Sequence, residues 1–233
     1  MRASYSGYYA TLPRSRRQFD SARPLHNYLK SMKITWCGDS CFEIASVSKD
    51  KDNVLTVVDP IGKKSNKADI ILETHPEKGG FETDEQFVIA SCGEYERKGV
   101  FIQGIESLQV DKKSRNIIYA IEVEDVRIAH LGYFGEGDIS EEQLKELGNV
   151  DVLIIPVDGD KTISYAEAAK IVSRIEPAIV IPMCYDGKKK EKGLAPFLKA
   201  LGEKDVVPQD KLSIQKKNIP AGEKAEIVIL EEK

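Results

Sequence analysis

The chain has 233 residues, of which 41% are hydrophobic and 31% charged; this supports one sizeable core and excludes wholesale disorder. A net charge of −4, with lysines scattered among acids, leaves no basic face to neutralise a phosphate backbone, which argues against nucleic-acid binding. No stretch approaches the ~20 apolar residues of a membrane span and the start lacks the apolar core of a signal sequence, so a cytoplasmic protein with no membrane attachment is expected.

Residues 1–31 carry Arg14, Arg16, Arg17 and Arg23 with few acids and no sustained period. Disorder is the expected state of this extension, and a true start at Met32 is the alternative; the amphipathic repeat of a transit peptide is weak. The folded domain is expected over residues 32–233. Cys37, Cys41, Cys92 and Cys184 lack the spacing of a zinc knuckle or a disulfide framework, so buried, reduced thiols are expected.

Lys33–Cys37 and Cys41–Val47, joined by Gly38-Asp39-Ser40, predict a hairpin because Gly and Asp favour the turn. Val54–Asp59 predicts the next strand. Ala68–Thr74 is a nearly continuous apolar run, the pattern of a strand covered on both faces, and it delivers His75 to a strand end. Further strands are predicted at Gln86–Ser91, Gly99–Gln103, Asn116–Val123 and Val126–Leu131.

The second half alternates. Ser140 with Gln143 three residues on predicts a capping box and a helix closed by Gly148. Asp151–Pro156 and Ala178–Met183 predict buried strands around a helix that Ser164 caps and that runs to Ile175, with Ala168, Ile171, Val172 and Ile175 on one face. A short helix near Leu194–Leu201 and strands at Leu212–Gln215 and Ala225–Leu230 follow. Many strands and then alternating helices and strands suit two packed sheets with helices outside.

Met32-Lys33-Ile34-Thr35-Trp36-Cys37-Gly38-Asp39-Ser40-Cys41-Phe42, Asp59-Pro60, Gly93-Glu94-Tyr95-Glu96, His130-Leu131-Gly132, Ile155-Pro156-Val157 and Ile181-Pro182-Met183 follow one another in an order that resembles the metallo-β-lactamase superfamily. The resemblance is to its branch of zinc-dependent hydrolases related to L-ascorbate-6-phosphate lactonase, and it covers about Met32 to Leu230. It implies an α/β fold, a four-layer αββα sandwich of the metallo-β-lactamase type. Such enzymes use zinc, held by imidazoles and carboxylates, to turn water into hydroxide at neutral pH.

The ligand motif of that branch, His-x-His-x-Asp-His, aligns with His75-Pro76-Glu77-Lys78-Gly79-Gly80. Only the first histidine is kept. Tyr133 stands where the branch has a metal-bridging aspartate, Cys184 where it has its last histidine, and Asp39 where a histidine is usual in the first hairpin. The remaining histidine should fall near Ser91–Glu94, where Cys92 or Glu94 would have to substitute. With three histidines in the chain, an imidazole-rich centre cannot be assembled.

The pocket at the family's active-site position is therefore expected to comprise Asp59, His75, Glu77, His130, Tyr133 and Cys184, with no metal. Should a metal bind, the candidate ligands are His75, Glu77, Cys92 and Cys184, a closed set suited to structural zinc rather than to catalytic water. Three functions compete. The first is a binding or scaffolding module that has lost the zinc centre and takes a small molecule or a protein. The second is an active hydrolase of lactones or phosphate esters with zinc in a rearranged site, Glu77 or Asp59 acting as base. The third is a metal-free enzyme with Cys92 or Cys184 as nucleophile. The resemblance alone allows a homo-oligomer.

Overall fold

The computed structural model describes residues 31–48, 51–61, 67–76, 86–185, 193–222 and 224–233. Of the expected extension, residues 1–31, residues 1–30 lie outside them, as do Glu77, Gly79 and Gly80. Strands β1 (Met32–Trp36), β2 (Phe42–Val47), β3 (Asn53–Val58), β4 (Ile70–Leu72) and β5 (Phe87–Ile89) lead into β6 (Gly93–Arg97), β7 (Val100–Leu108), β8 (Arg115–Val123) and β9 (Val126–His130). Helix α1 (Glu141–Leu147), β10 (Val152–Pro156), α2 (Tyr165–Ile175), β11 (Ile179–Met183), α3 (Leu194–Ala200), β12 (Leu212–Ile214) and β13 (Glu226–Ile227) complete the described chain.

Two mixed sheets face each other. The first has the order β12-β1-β2-β3-β4-β5 and the second β13-β11-β10-β9-β8-β7-β6. β1 and β2 alternate buried and half-buried residues, as strands with one face on the core do. β10 and β11 are buried at every position, because helices cover the face turned away from the core. α2 packs on β10, α3 on α2, and α1 lies against β7. The arrangement is the expected α/β sandwich.

Both capping boxes form. Ser140 accepts from the Gln143 N–H and Ser164 from the Glu167 N–H, and each N3 side chain reaches back to the cap backbone; a cap of this kind contributes about 1 kcal/mol. α2 buries Ala168, Ile171 and Val172, the stripe its spacing predicts. Among the described residues no helix is long and apolar enough to cross a membrane.

Two elements differ from expectation. Gly93–Arg97 is a separate strand that pairs with β7, and β7 continues to Leu108. β6 is an edge strand whose residues are mostly exposed, so it lacks the alternation that marks a half-buried strand. The run Ala68–Thr74 keeps only Ile70–Leu72 as strand, because the Thr74 N–H leaves the ladder for the Asp59 carboxylate, 2.7 Å away.

Direction matters most for the site. β3, β4 and β5 run parallel in the first sheet, as do β9, β10, β11 and β13 in the second. β1 is antiparallel to β2, which is antiparallel to β3, so β1 points the same way as β3. The carboxyl ends of β1, β3 and β4 therefore share one edge of their sheet, the kind of edge outside which open α/β sheets place ligands.

Candidate functional site

Asp59 follows β3 and Thr74-His75 follows β4, so parallel pairing of Val58 with Leu72 puts them side by side. The Thr74 hydroxyl donates to Asp59 Oδ2 at 2.6 Å and lies 2.8 Å from His75 Nδ1. A hydroxyl has one proton, and the carboxylate can only accept. His75 Nδ1 therefore carries a hydrogen and donates to Thr74, and in the neutral imidazole Nε2 holds the lone pair. Asp59 Oδ2 is also 3.5 Å from His75 Nδ1. Both Asp59 oxygens are thus engaged, and its backbone is left-handed at φ 45°.

Tyr133 comes from the loop after β9. Its N–H donates to Asn116 Oδ1 at 2.8 Å, while the Asn116 amide donates to Leu131 O at 2.9 Å and to Ser107 Oγ at 2.7 Å. This buried asparagine fixes the loop. Gly132 beside it has φ +60°, and a β-carbon there would come within 2.5 Å of Thr74 Cβ, so only glycine lets the loop approach His75. The Tyr133 ring stacks on His75 with centroids 4.1 Å apart and planes 9° from parallel. Its hydroxyl donates to Asp39 Oδ2 in a short hydrogen bond. Burial raises the Tyr133 pKa and donation to Asp39 raises it further, so the phenol keeps its proton.

Asp39 sits in the β1–β2 turn at φ 50°. Its carbonyl accepts from Trp36 Nε1 at 2.8 Å and from the Cys184 N–H at 3.3 Å. Cys184 follows β11, is buried, and has φ 57°. Burial pushes its thiol well above the usual value, and the charges of Asp39, Asp158 and Asp59 act the same way. The thiol is protonated and a poor nucleophile. Asp39 and Asp59 at the edge of one sheet and Cys184 at the end of a strand of the other thus all hold left-handed backbone, a conformation that clusters at functional sites.

His130 is fully buried. Its Nδ1 accepts from the Gly132 N–H at 3.2 Å, so Nε2 is the protonated nitrogen and donates to Ser40 O at 3.1 Å. Burial pushes its pKa down to about 4. It is a neutral strut between the two sheets with no lone pair to spare. Cys92 is half-buried, and its sulfur accepts from Arg115 Nη2 at 3.2 Å. Among the described residues no three His, Cys, Asp or Glu side chains are grouped so as to hold a metal ion.

A family model for the β-lactamase superfamily domain matches residues 33–184. The chain belongs to this superfamily. A UPF0173 protein of Pyrococcus furiosus is 29% identical over 203 residues, which span 75% of this chain and 93% of the relative. A metallo-β-lactamase superfamily protein of Thermotoga maritima, assigned as a Zn-dependent hydrolase, is similar in structure with TM-score 0.70 and 28% identity, covering 87% of this chain and 100% of that one. A protein of Parabacteroides distasonis, assigned as a metal-dependent hydrolase, shares the fold at TM-score 0.60 and 18% identity, over 87% and 94% of the two chains.

Within this β-lactamase-superfamily fold, the site brings Asp59 and His75 from the edge of one sheet together with Tyr133 and Cys184 from the other, and keeps His130 inside the core. Asp39, Thr74, Asn116 and Asp158 belong to the site or its support and were not among the candidates drawn from sequence. Asp39 had a signal, since it stands where the resemblance places a histidine. Thr74 and Asn116 had none, because their roles arise from which strands lie next to each other. Among the described residues the donors do not assemble the imidazole-rich zinc centre that the resemblance implies: Asp59 accepts from Thr74 at both oxygens, Asp39 accepts from Tyr133, and His75 is the one motif histidine.

Proposed function

We propose that this chain is a metallo-β-lactamase-fold protein in which a protein-only hydrogen-bond network stands in place of the zinc hydrolase centre, and that it acts as a binding or scaffolding module. The observation that carries the reading is the Tyr133 side chain. It stands at the position the resemblance gives to a metal-bridging aspartate, lies flat on the one retained motif histidine, and donates its proton to Asp39. A neutral phenol supplies no anionic bridge between cations. The hydrogen bond and the ring stack link the loops of both sheets without a metal.

Thermal unfolding of chelator-treated protein with and without added zinc tests this. A ligand that binds only the native state raises the midpoint in a concentration-dependent way. The expected result is an unchanged midpoint and no lactone or phosphate-ester hydrolysis; a zinc-dependent rise accompanied by hydrolysis overturns the reading.

A second reading, a hydrolase with zinc in a rearranged site, draws support from His75. Its Nδ1–H is tied through Thr74 to Asp59, the outer support that fixes a metal-ligating histidine, and Nε2 is left available. His75 and Cys184 would be its ligands and Glu77 or Asp59 its base. A His75→Ala, Cys184→Ala double variant that retains any hydrolysis measured in the wild type removes this reading.

A further inference from the structure

The turn that carries Asp39 is held from outside the site as well as from within. The Lys233 N–H donates to Trp36 O at 3.2 Å, at the last pair of the β1–β2 ladder, Trp36 with Phe42. The Lys233 ammonium pairs with Glu43 of β2 at 3.4 Å. The Glu232 carboxylate lies so close over Gly38 that a β-carbon there would stand 2.6 Å from its Oε1. Gly38 has φ +102°, so the residue is glycine both for its backbone and for this approach.

The same segment reaches the site by a second route. The Tyr185 hydroxyl donates to Leu230 O at 3.4 Å, and the Tyr185 ring lies 4.8 Å from that of Trp36. Burial and the Glu232 charge push the Tyr185 pKa up to about 12. Trp36 in turn donates to Asp39 O, the oxygen that also accepts from the Cys184 N–H. Lys233 therefore touches Trp36 and Glu232 lies over Gly38, two near neighbours of Asp39 in its own turn region.

We propose that residues 231–233 form a strap that holds the Gly38–Ser40 turn in place, so that Asp39 stays on the Tyr133 hydroxyl; releasing the strap frees the turn and that contact. The inference rests on the reading above, in which the Asp39–Tyr133 contact belongs to the network that stands in place of the zinc centre. The strap's contacts include backbone hydrogen bonds from Lys233 N–H to Trp36 O and from Glu231 N–H to Gln209 O, and an ion pair whose lysine side chain is 66% exposed. Segments with few buried contacts open without unfolding the core. The strap is distant in sequence from the turn, so a change at residues 231–233 reaches Asp39 without touching it.

Hydrogen exchange on the full chain tests the strap. Lys233→Pro removes the N–H that bonds Trp36 O, and Glu232→Ala removes the carboxylate over Gly38 while keeping every backbone donor, so it repeats the comparison should the proline variant not fold. The expected result is a severalfold faster exchange of the Cys184 N–H, with a matching rise in acrylamide quenching of Trp36, the single tryptophan of the chain, and unchanged exchange in β10. Unchanged values at Cys184 and Trp36 overturn the proposal, and so does an equal acceleration in β10, which would make the segment a support of the whole fold. Zinc added to the same samples separates the two claims: zinc binding defeats the proposed function, whereas the strap stands or falls on exchange alone.

Discussion

His75 and Tyr133 stack face to face, their ring centroids 4.1 Å apart, and so join the end of β4 in one sheet to the loop after β9 in the other. The contact holds a base nitrogen with a fixed tautomer beside a phenol with a fixed proton. Its consequences can be measured one residue at a time.

Tyr133→Phe keeps the ring and removes the hydroxyl that Asp39 accepts. Asp39 is exposed, so water replaces the lost donor and solvent screening reduces the effect; a loss of about 1 kcal/mol is expected. Tyr133→Ala also removes the stack and should cost about 2 kcal/mol. Urea denaturation of both variants checks the difference, and equal losses would show that the ring contributes nothing beyond the hydroxyl.

Gly132→Ala is expected to be the most damaging single-carbon change near the site. The added atom would lie 2.5 Å from Thr74 Cβ and 2.6 Å from Asn116 Oδ1, at φ +60°. Strain and overpacking together should cost about 3 kcal/mol, and the His75 ring resonances should shift in an NMR spectrum because Thr74 must move. A variant with wild-type stability and unmoved His75 signals would contradict the geometry given for this loop.

Asn116→Leu removes an amide that bonds Leu131 O, Ser107 Oγ and the Tyr133 N–H. The site is fully buried, and its partners lose their bonds in a place water does not reach. A loss of about 3 kcal/mol is expected, larger than that of Tyr133→Phe. Chemical denaturation of the two variants side by side decides the order.

His130 sets a pH dependence of known sign. Its pKa is pushed down to about 4 by burial, below the ordinary value near 6.5. Between those two values the unfolded chain binds a proton that the folded chain refuses, so stability rises with pH in this window. The contribution is complete above about pH 6.5 and is lost as the pH falls toward 4, on the order of 3 kcal/mol in all. Denaturation at several pH values, with and without His130→Gln, checks the sign: the wild-type slope between pH 4 and 6.5 should flatten in the variant.

Much of the fold was legible because its signals are local. Ser140 with Gln143 and Ser164 with Glu167 mark both helix starts, and the unbroken apolar runs at Val152–Pro156 and Ile179–Met183 are the doubly covered strands. Gly93–Arg97 carries no periodic signal because an exposed edge needs no apolar alternation; the resemblance of Gly93-Glu94-Tyr95-Glu96 to the family's middle strands was its one mark in the sequence. In the site, His75, Tyr133 and Cys184 were legible through the motif positions they occupy. Thr74 was not, since its value lies in standing between Asp59 and His75, a relation created by parallel pairing of β3 and β4. The burial of His130 depends on β9 lying inside a seven-stranded sheet, which the string His130-Leu131-Gly132 does not reveal.

The proposed function turns on the Tyr133 phenol, which stands where the resemblance places a metal-bridging aspartate. Anomalous diffraction at the zinc absorption edge, from crystals grown with zinc present, tests it most directly. The expected map has no anomalous peak within bonding distance of His75 Nε2 and shows the Tyr133 hydroxyl on Asp39. A strong peak on that nitrogen, with Tyr133 displaced and solvent completing the coordination, would contradict it.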